Sequence, residues 1–563
     1  MAYTEELQSK IDQARTLPHY SLPPIKWSNI PDLVRARKHD EKSFITYIDH
    51  QDQRTELNYK QFCEKAYALA RYLKDKGLKP GDRIATISHN HWHTVVQYFA
   101  AWLIGVVVVP INLGEDDERI DYILENGEVK RAFVRDQYLN RIRNIINRNE
   151  NLRKLELEEC GDSLETFIKG YETTGIDEPL HGESDAMIVY TSGTTGKPKA
   201  VLLSQRNLLE DARSISEWHQ MTEETRMMCV LPLHHVNGTV VTMMSPFYQG
   251  GSTVLNQKFH VSRFFPVINE EKVHVVSVVP TLLLFLNNEF RDKKTPDTSP
   301  LHHIICGAGP LTINVAKNFE DKFKVPIIHG YGLSETTCYS CFIPLNLDKK
   351  EHDQWLQDYG YPSIGLPIPA NEMQIHDEKG NSVPEKERGE IVIRGVNVMK
   401  EYYDNREANE EAFAHGWFRS GDEGFYIKDE DGRPFFFITG RIKELIIRGG
   451  VNLAPLEIDE VINRAPGVKS GIAVGFENDW YGEEVGAYVE LMEGYKQKKK
   501  KILEYCRKHL PYDKCPKVVV FGKNIPVTST GKYQRMKVAP LFKKWKSVQF
   551  RKNGGVTTES TKI

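Results

Sequence analysis

The sequence predicts an α/β protein with a large N-terminal domain of layered α/β subdomains, a small β-rich subdomain, and a small α+β C-terminal domain. Strand-like and helix-like runs alternate through the first half of the chain, β-hairpin signals take over after about residue 360, and a mixed pattern returns after Arg441. We therefore expect domains at 1–439 and 440–550. The tail at 551–563, RKNGGVTTESTKI, is polar and is predicted to be disordered.

The alternation begins with a predicted strand at 43–49 and an amphipathic helix over Tyr59–Asp75. A strand, a helix and a buried strand follow, and the alternation of strands and helices resumes after residue 185. The predicted elements are 83–88, 93–103 and 106–112, then strands at 186–190, 227–231, 253–255, 273–278 and 304–306. Strands separated by helices favour a sheet with a large parallel part.

Beyond about residue 360 the spacing changes to short alternating strands. The segments GEIVIRG and GFYIKDEDGRPFFFITG carry the turn residues that β-hairpins use. These hairpins predict the β-rich subdomain. The basic run at 496–501 leads into ILEYCRKHL, which indicates a solvated helix start in the C-terminal domain rather than a polyanion site.

Composition excludes several classes of protein. The 563 residues contain 74 Lys plus Arg and 77 Asp plus Glu, a net charge of -3, so we expect no nucleic-acid partner. The longest apolar runs are shorter than a bilayer span, which predicts no integral membrane segment, and the charged N-terminus does not resemble a secretory signal. A cytoplasmic protein, monomeric or homodimeric, is the expectation.

Cysteine and histidine patterns predict no separate site. Eight scattered cysteines fit a reduced compartment, and Cys338 with Cys341 forms a C-x-x-C that lacks the second pair a zinc site needs. A redox role for this pair stays open. His89, His91 and His93 follow a predicted strand, which favours a loop or helix start over a metal site.

The first segment with side chains suited to bind a ligand follows the apolar run AMIVY. The segment that follows, TSGTTGKPKA, combines hydroxyls, glycines and two lysines, which together can cradle phosphate groups through backbone N–H groups, side-chain donors and positive charge. Its spacing does not match a P-loop, because Thr191 stands where that motif needs glycine and Pro198 where it needs Ser or Thr. The residues expected to bind phosphate are Thr191, Ser192, Gly193, Thr194, Thr195, Gly196, Lys197 and Lys199.

With this segment the chain resembles the adenylate-forming superfamily of acyl-CoA and aryl-CoA ligases, firefly luciferases and peptide-synthetase adenylation domains. The likeness covers nearly the whole chain in six segments in family order: TSGTTGKPKA from Thr191, LPLHHVNG from Leu231, HGYGLSETT from His329, GWFRSGDEG from Gly416, GRIKELIIRGGVN from Gly440 and TSTGKYQR from Thr528. Ala200, Ser334 and Tyr533 depart from the usual residues without removing a required group.

The resemblance implies two reactions: ATP activates a carboxylate as an acyl-adenylate with release of pyrophosphate, and the acyl group then passes to a thiol. Lys532 is implied to bridge the carboxylate and the adenylate, and Thr191 and Glu335 to hold Mg²⁺. Ser334 or Thr336 is implied to donate to phosphate. The nucleoside is implied to lie among Gly307, Ala308, Gly309, Tyr331, Asp422 and Arg441, with Tyr331 stacked on the adenine and Asp422 accepting the ribose hydroxyls.

The family also implies a mobile C-terminal domain that turns about one residue, here Lys443, between the two reactions. The turn at Gly449 and Gly450 is implied to approach the pantetheine arm of coenzyme A, where a Cβ would obstruct it. His235 is implied to gate the acid pocket, although a histidine packed beside the core is the alternative interpretation.

The acid is predicted to be a fatty or aryl monocarboxylate, because the expected pocket segments 236–244, 281–286 and 306–311 contain neither Lys nor Arg. The implied function is an ATP-dependent acyl-CoA ligase that uses Mg²⁺ and coenzyme A. Three alternatives remain: an acyl-AMP ligase that loads a carrier-protein thiol, a luciferase-type oxygenase, and a binding protein without activity. The last is disfavoured because the implied catalytic residues are all present.

Overall fold

The computed structural model describes residues 3–18, 24–161, 164–191, 197–527 and 533–550. In these ranges the architecture is mixed α/β with four sheets, as the sequence predicts. The predicted tail at 551–563 lies outside the described residues.

The first part of the chain alternates strands with helices. The strands are β1 Ser43–Ile48, β2 Arg54–Asn58, β3 Arg83–Ile87, β4 Val107–Pro110, β5 Val129–Arg135 and β6 Glu156–Cys160. The helices are α1 Glu5–Ala14, α2 Ile30–Arg37, α3 Tyr59–Asp75, α4 Trp92–Leu103, α5 Asp117–Asn126, α6 Asp136–Arg148 and α7 Glu165–Ile168, with a 3₁₀ turn at Glu150–Leu152.

The second part continues the alternation. Its strands are β7 Asp185–Thr191, β8 Lys199–Ser204, β9 Arg226–Cys229, β10 Ser252–Asn256, β11 Val275–Val278, β12 His303–Cys306, β13 Ile327–Tyr331, β14 Cys341–Phe342 and β15 Leu366–Pro367. Its helices are α8 Gln205–Trp218, α9 Ser245–Gln249, α10 Phe264–Glu270, α11 Pro280–Glu289, α12 Ile313–Phe323 and α13 Lys349–Gln357, with a π-helix at Asn237–Met244 and a 3₁₀ turn at Ser334–Thr336.

The third part contains the predicted hairpins and the C-terminal sheet. The strands are β16 Asn371–His376, β17 Gly389–Gly395, β18 Glu401–Tyr402, β19 Phe418–Lys428, β20 Pro434–Arg441, β21 Ile446–Arg448, β22 Val451–Leu453, β23 Val468–Asn478, β24 Gly482–Leu491 and β25 Val518–Phe521. The helices are α14 Arg406–Ala412, α15 Pro455–Arg464, α16 Lys499–His509 and α17 Arg535–Val538, with 3₁₀ turns at Ile442–Glu444 and Ala539–Trp545.

Two large sheets build the N-terminal layers. One runs in the order β15-β14-β13-β12-β11-β9-β10-β1-β2 and the other in the order β18-β8-β7-β4-β3-β5-β6. Strands β1, β10, β9, β11, β12 and β13 are parallel to one another, so their carboxyl ends share one edge, where ligands bind in such folds. The apolar core between the layers includes Trp102, Phe99 and Phe247, each at most 1% exposed.

The β-rich subdomain is an antiparallel sheet in the order β16-β17-β19-β20. The last sheet, β22-β21-β24-β23 with β25 beside β24, packs its own core around Ile458, Ile462 and Val485. A separate core is what an α+β C-terminal domain requires. The division at residue 440 and the mobility of this domain stay predictions.

Helix starts follow the local chemistry of the sequence. Asn58 closes a capping box at α3, and the His91 ring accepts from the His93 backbone at the start of α4, which confirms the helix-start interpretation of this histidine run. In the described residues no group of three or more histidine, cysteine or acidic side chains is placed to hold a metal ion. No helix in the same ranges is both long and apolar enough for a bilayer span.

Candidate active site

The predicted phosphate segment connects two antiparallel strands. Thr191 ends β7 and Lys199 begins β8, and these two residues pair across the strands. Lys197 lies over the Tyr122 ring, with its Nζ atom 4.9 Å from the ring centroid. Ser192, Gly193, Thr194, Thr195 and Gly196 fall outside the described residues, as does Lys532. The two ends of the segment therefore lie side by side at the same end of β7 and β8.

The predicted nucleoside residues meet at the carboxyl end of β13. The Tyr331 hydroxyl donates to Asp422 Oδ2 at 2.6 Å, and Arg441 Nε lies 2.8 Å from Asp422 Oδ1. Asp422 on β19 and Arg441 on β20 are register partners, so sheet pairing fixes their distance. Asp422 is only 2% exposed, and its charge raises the pKa of Arg441. Each carboxylate oxygen has a second lone pair for another donor.

Gly307 lies directly beside this group. A Cβ on Gly307 would come within 2.7 Å of the Gly330 carbonyl oxygen and 2.6 Å of the Tyr339 hydroxyl, so only glycine fits there. Ala308 follows at a φ of 62°. The turn through Gly309 thus leaves β12 next to the end of β13, as the sequence predicts for a wall of the base pocket.

Glu335 has a partner that sequence reasoning missed. The Tyr402 hydroxyl donates to Glu335 Oε1 at 2.8 Å, and burial raises the pKa of Tyr402. Lys199 Nζ lies 4.6 Å from the centroid of the same ring. Tyr402 therefore joins the predicted carboxylate to the phosphate-binding strand. Its only sequence signal is a pair of tyrosines after an apolar run, which is too common to indicate a site.

The two hydroxyls beside Glu335 differ in their surroundings. Ser334 is half-buried, whereas Thr336 is fully buried and its hydroxyl contacts the Leu333 carbonyl at 3.3 Å. Ser340 also donates to the Thr336 hydroxyl at 2.8 Å. Thr336 therefore supports the turn from within, and Ser334 is the more accessible of the two predicted phosphate donors.

His235 precedes the π-helix. Its N–H donates to the Pro232 carbonyl at 3.2 Å, and its ring lies 4.4 Å from that of His234. Burial lowers the pKa of His234. The structure thus places His235 at the start of the expected pocket segment, where the gate and the core-histidine interpretations both place it.

Lys443 and the paired glycines follow Arg441 along the chain. The exposed Lys443 Nζ is 3.8 Å from Glu411, and Lys199 Nζ is 3.9 Å from the same side chain. Gly449 and Gly450 form the β21–β22 turn at φ values of 58° and 82°. Of the described residues, none lies within 4 Å of a Cβ placed on Gly450.

The C-x-x-C pair lies behind the site. All eight cysteines are buried and unpaired with one another, and burial raises the pKa of Cys338 well above its ordinary value. A buried neutral thiol is a poor nucleophile. The geometry therefore gives no support to redox chemistry at this pair.

The fold is that of an adenylate-forming enzyme: a layered α/β body carries the predicted nucleoside and phosphate residues and is followed by a smaller domain. The AMP-binding enzyme family model matches residues 34–403, and the model of the AMP-binding enzyme C-terminal domain matches 457–532. The chain belongs to the AMP-binding enzyme family.

Curated relatives are CoA ligases. The chain is 32% identical to the sulfoacetate–CoA ligase of Cupriavidus necator, over 90% of this chain and 96% of that protein. It is 30% identical to the oxalate–CoA ligase of Arabidopsis thaliana, over 84% of this chain and 91% of that protein. The chain is accordingly an ATP-dependent acid–thiol ligase that forms an acyl-CoA through an acyl-adenylate.

Solved structures agree with the fold. ATP-bound MatB from Rhodopseudomonas palustris superposes with a TM-score of 0.81 at 25% identity, covering 92% of this chain and 99% of that one. O-succinylbenzoate coenzyme A synthetase from Bacillus subtilis, in complex with ATP and magnesium ion, gives 0.76 at 25% identity, covering 91% and 99%. These neighbours support a large N-terminal and a small C-terminal domain.

Proposed function

We propose that this enzyme activates a fatty or aryl monocarboxylate at the Tyr331, Asp422 and Arg441 group and passes it to coenzyme A by rotation of the C-terminal domain. The observation that carries the proposal is a pair of contacts, Tyr331 with Asp422 and Tyr402 with Glu335, whose first and last residues lie at the end of β13 and in the turn after it. These contacts support a nucleoside acceptor and a carboxylate suited to a metal.

Asp422 accepts from the ribose hydroxyls, and the ion pair with Arg441 holds that carboxylate in position. Tyr331 stacks on the adenine while its hydroxyl stays on Asp422. Gly307 lets the turn after β12 lie close to β13, because a Cβ there would meet the Gly330 carbonyl oxygen and the Tyr339 hydroxyl. These contacts bind the nucleoside equally in substrate and adenylate, so they orient the α-phosphate rather than accelerate its attack.

Charge neutralisation supplies the acceleration. The attacking carboxylate and the triphosphate are both anionic, so cations must approach the reacting atoms. Lys199 on β8 and Lys532 on the C-terminal domain supply them. Glu335 and the Thr191 hydroxyl are hard oxygen donors of the kind that Mg²⁺ prefers, and the bound ion would neutralise phosphate charge. Tyr402 holds the Glu335 carboxylate through one oxygen, which leaves the other for the ion.

The acid pocket is formed by the segments 236–244, 281–286 and 306–311, with His235 at its entrance. None of these segments contains Lys or Arg, which favours acids with a single carboxylate. After activation, rotation about Lys443 removes Lys532 and brings the Gly449 and Gly450 turn to the pantetheine arm. The buried free thiols of the eight cysteines fit a reducing, cytoplasmic location.

The test is ATP-dependent pyrophosphate release with a panel of acids, from acetate to palmitate plus benzoate and cinnamate, with and without coenzyme A. Thioester formation with release accelerated by coenzyme A supports the proposal. A single turnover that coenzyme A does not accelerate would favour a carrier-protein acceptor instead.

Lys532→Ala separates the two reactions. We expect the variant to lose adenylation while still converting a supplied acyl-adenylate to the thioester, because the lysine acts only in the first orientation. Equal loss in both reactions would contradict domain alternation.

A further inference from the structure

The turn that carries Glu335 contains a strained residue two positions later. Thr337 has a φ of 65° and a ψ of -60°, and the Cys338 N–H donates to the Thr336 carbonyl at 2.8 Å. These values define a three-residue γ-turn of the rare, strained type, and a β-branched residue seldom adopts a positive φ. Such a backbone persists only where its surroundings hold it.

Asn397 contacts this turn at three points. Its side-chain Nδ2 donates to the carbonyls of Thr336 and Tyr339 at 3.3 and 3.1 Å. Its own backbone carbonyl accepts from the Thr337 hydroxyl at 2.7 Å. Asn397 and Thr337 are both fully buried, so water does not compete for these contacts. One side chain therefore holds carbonyls on both sides of the strained residue.

Helix α8 fixes the segment to which Asn397 belongs. Asp211 Oδ1 accepts from Asn397 Nδ2 at 3.1 Å. Asn207, one helical turn earlier, donates through its Nδ2 to the carbonyls of Val396 and Val398 at 2.8 and 2.9 Å. Because the Asn207 bonds reach the residues on either side of Asn397, the segment should stay in place when the Asn397 side chain is replaced.

The same segment contacts Glu335 directly. The Met399 N–H donates to the Glu335 carbonyl at 2.8 Å, and the Tyr402 hydroxyl donates to the Glu335 carboxylate. Relaxation of Thr337 to a negative φ would rotate the peptide groups on its two sides and would change the direction of the Glu335 side chain. The Asn397 amide opposes that relaxation, since its two carbonyl partners lie on opposite sides of Thr337.

We propose that Asn397 is a positioning residue for adenylation, which keeps the Thr337 turn in its strained form and thereby directs the Glu335 carboxylate. The inference rests on the proposed function, in which Glu335 is a ligand of Mg²⁺. The strain is retained because this conformation of the turn aims the carboxylate, whereas a relaxed turn would aim it elsewhere.

The experiment compares Asn397→Ala with the wild type in the two half-reactions of the full-length enzyme. Pyrophosphate release should fall by about tenfold or more and require more Mg²⁺ for its half-maximal rate, because the carboxylate is misdirected. Thioester formation from supplied acyl-adenylate should stay within about twofold, since that step transfers no phosphoryl group. The rise in melting temperature that Mg²⁺ and ATP together produce should be smaller in the variant.

A double-mutant cycle with Thr337→Gly separates support of the turn from general packing. Glycine adopts a positive φ without strain, so Asn397→Ala should reduce adenylation by a smaller factor in the Thr337→Gly enzyme than in the wild type. An equal factor in the two backgrounds would overturn the inference, because the two residues would then act independently.

Asn478→Ala is the matched control. Asn478 is 3% exposed, and its Nδ2 also donates to backbone carbonyls, those of Lys546 and Val548, each at 3.0 Å. The substitution should lower the melting temperature and leave the Mg²⁺ requirement of pyrophosphate release unchanged.

Asn397→Ser replaces Asn397→Ala if the alanine variant does not fold, and melting temperatures identify that case. Equal loss of both half-reactions in a folded Asn397 variant, or an unchanged Mg²⁺ requirement, would overturn the positioning role alone. A wild-type enzyme that releases pyrophosphate with no acid in the panel would instead overturn the proposed function.

Discussion

At the residue scale, Tyr402 is the group on which the Glu335 carboxylate depends for its position. The neighbouring Tyr403 lies in the same segment but contacts Glu128 and Arg83, each at 3.4 Å from its hydroxyl. The two tyrosines therefore offer a matched comparison: the Tyr402 hydroxyl contacts a predicted site residue, whereas the Tyr403 hydroxyl contacts residues outside the site.

Tyr402→Phe should lower the rate of pyrophosphate release about fivefold to thirtyfold and raise the Mg²⁺ concentration needed for half-maximal rate. A hydrogen bond to a charged group is worth about 1.5–3 kcal/mol, and part of that remains because the ring still packs. The measurement is release against Mg²⁺ concentration. Tyr403→Phe should leave both quantities unchanged; an equal effect of the two substitutions would show that Tyr402 has only a packing role.

Motif residues and their partners differ in how far the sequence predicts them. Asp422, Arg441 and Glu335 lie within recognisable segments, and the structure brings Asp422 and Arg441 into direct contact. Asn397 and Tyr402 lie before and in the short strand β18, where the local sequence is ordinary. Their roles depend on which segments become neighbours, and no local pattern encodes that.

At the element scale, helix α15, which packs on the C-terminal sheet, contacts the start of helix α12. Glu460 Oε1 accepts from the Ile313 N–H at 2.6 Å, and Glu460 Oε2 lies 3.4 Å from Arg464. Burial raises the pKa of Glu460 to about 7 despite these partners. The carboxyl thus stabilises the packing when neutral, and its charged form is penalised.

Because this pKa lies above its ordinary value, the stabilisation is complete below about pH 4.5 and is lost as the pH rises through about 7. Glu460→Gln should remove that loss, since the amide oxygen still accepts from Ile313. The wild type should lose on the order of 1–3 kcal/mol relative to this variant toward alkaline pH. Melting temperatures at pH 6 and pH 8.5 test this.

Glu493→Gln is the control, since Glu493 is exposed in the turn that follows β24 in the same domain. It should keep the pH dependence of the wild type. A parallel pH dependence in Glu460→Gln would mean that another group titrates at this contact.

Helices and strands agree with the sequence predictions where the spacing of apolar residues along the chain is regular. Helix α3 has the expected bounds Tyr59–Asp75, and the hairpins after residue 360 form β16, β17, β19 and β20. The segment 236–244 was expected only as part of a pocket, and it forms a π-helix. Its i→i+5 pairing depends on surrounding contacts, because the side-chain pattern of a π-helix resembles that of an α-helix.

At the scale of the whole molecule, the β21–β22 turn should matter only after the C-terminal domain moves. Gly450 has a φ of 82°, and in the present orientation a Cβ there would meet none of the described residues. Gly450→Ala should therefore leave adenylation intact and lower acyl transfer to coenzyme A by about tenfold or more, because the methyl group would meet the pantetheine arm.

Gly494 provides the control for backbone strain. It lies in the same domain at a φ of 73°, and a Cβ on it also meets none of the described residues within 4 Å. Gly494→Ala carries the same conformational cost, so it should change neither reaction. The two half-reactions are measured as pyrophosphate release and as thioester formation from supplied acyl-adenylate. Loss of adenylation in Gly450→Ala would contradict the assignment of this turn to the second reaction.

The number of residues in the π-helix at Asn237–Met244, and not only their identity, bears on the proposed acid pocket. The Ser245 N–H donates to the Val240 carbonyl, five residues earlier, where an α-helix would pair residues four apart. Loss of one codon in this stretch would restore α-helical pairing and remove one side chain from the segment. A single deletion would thus change which side chains line the proposed acid pocket.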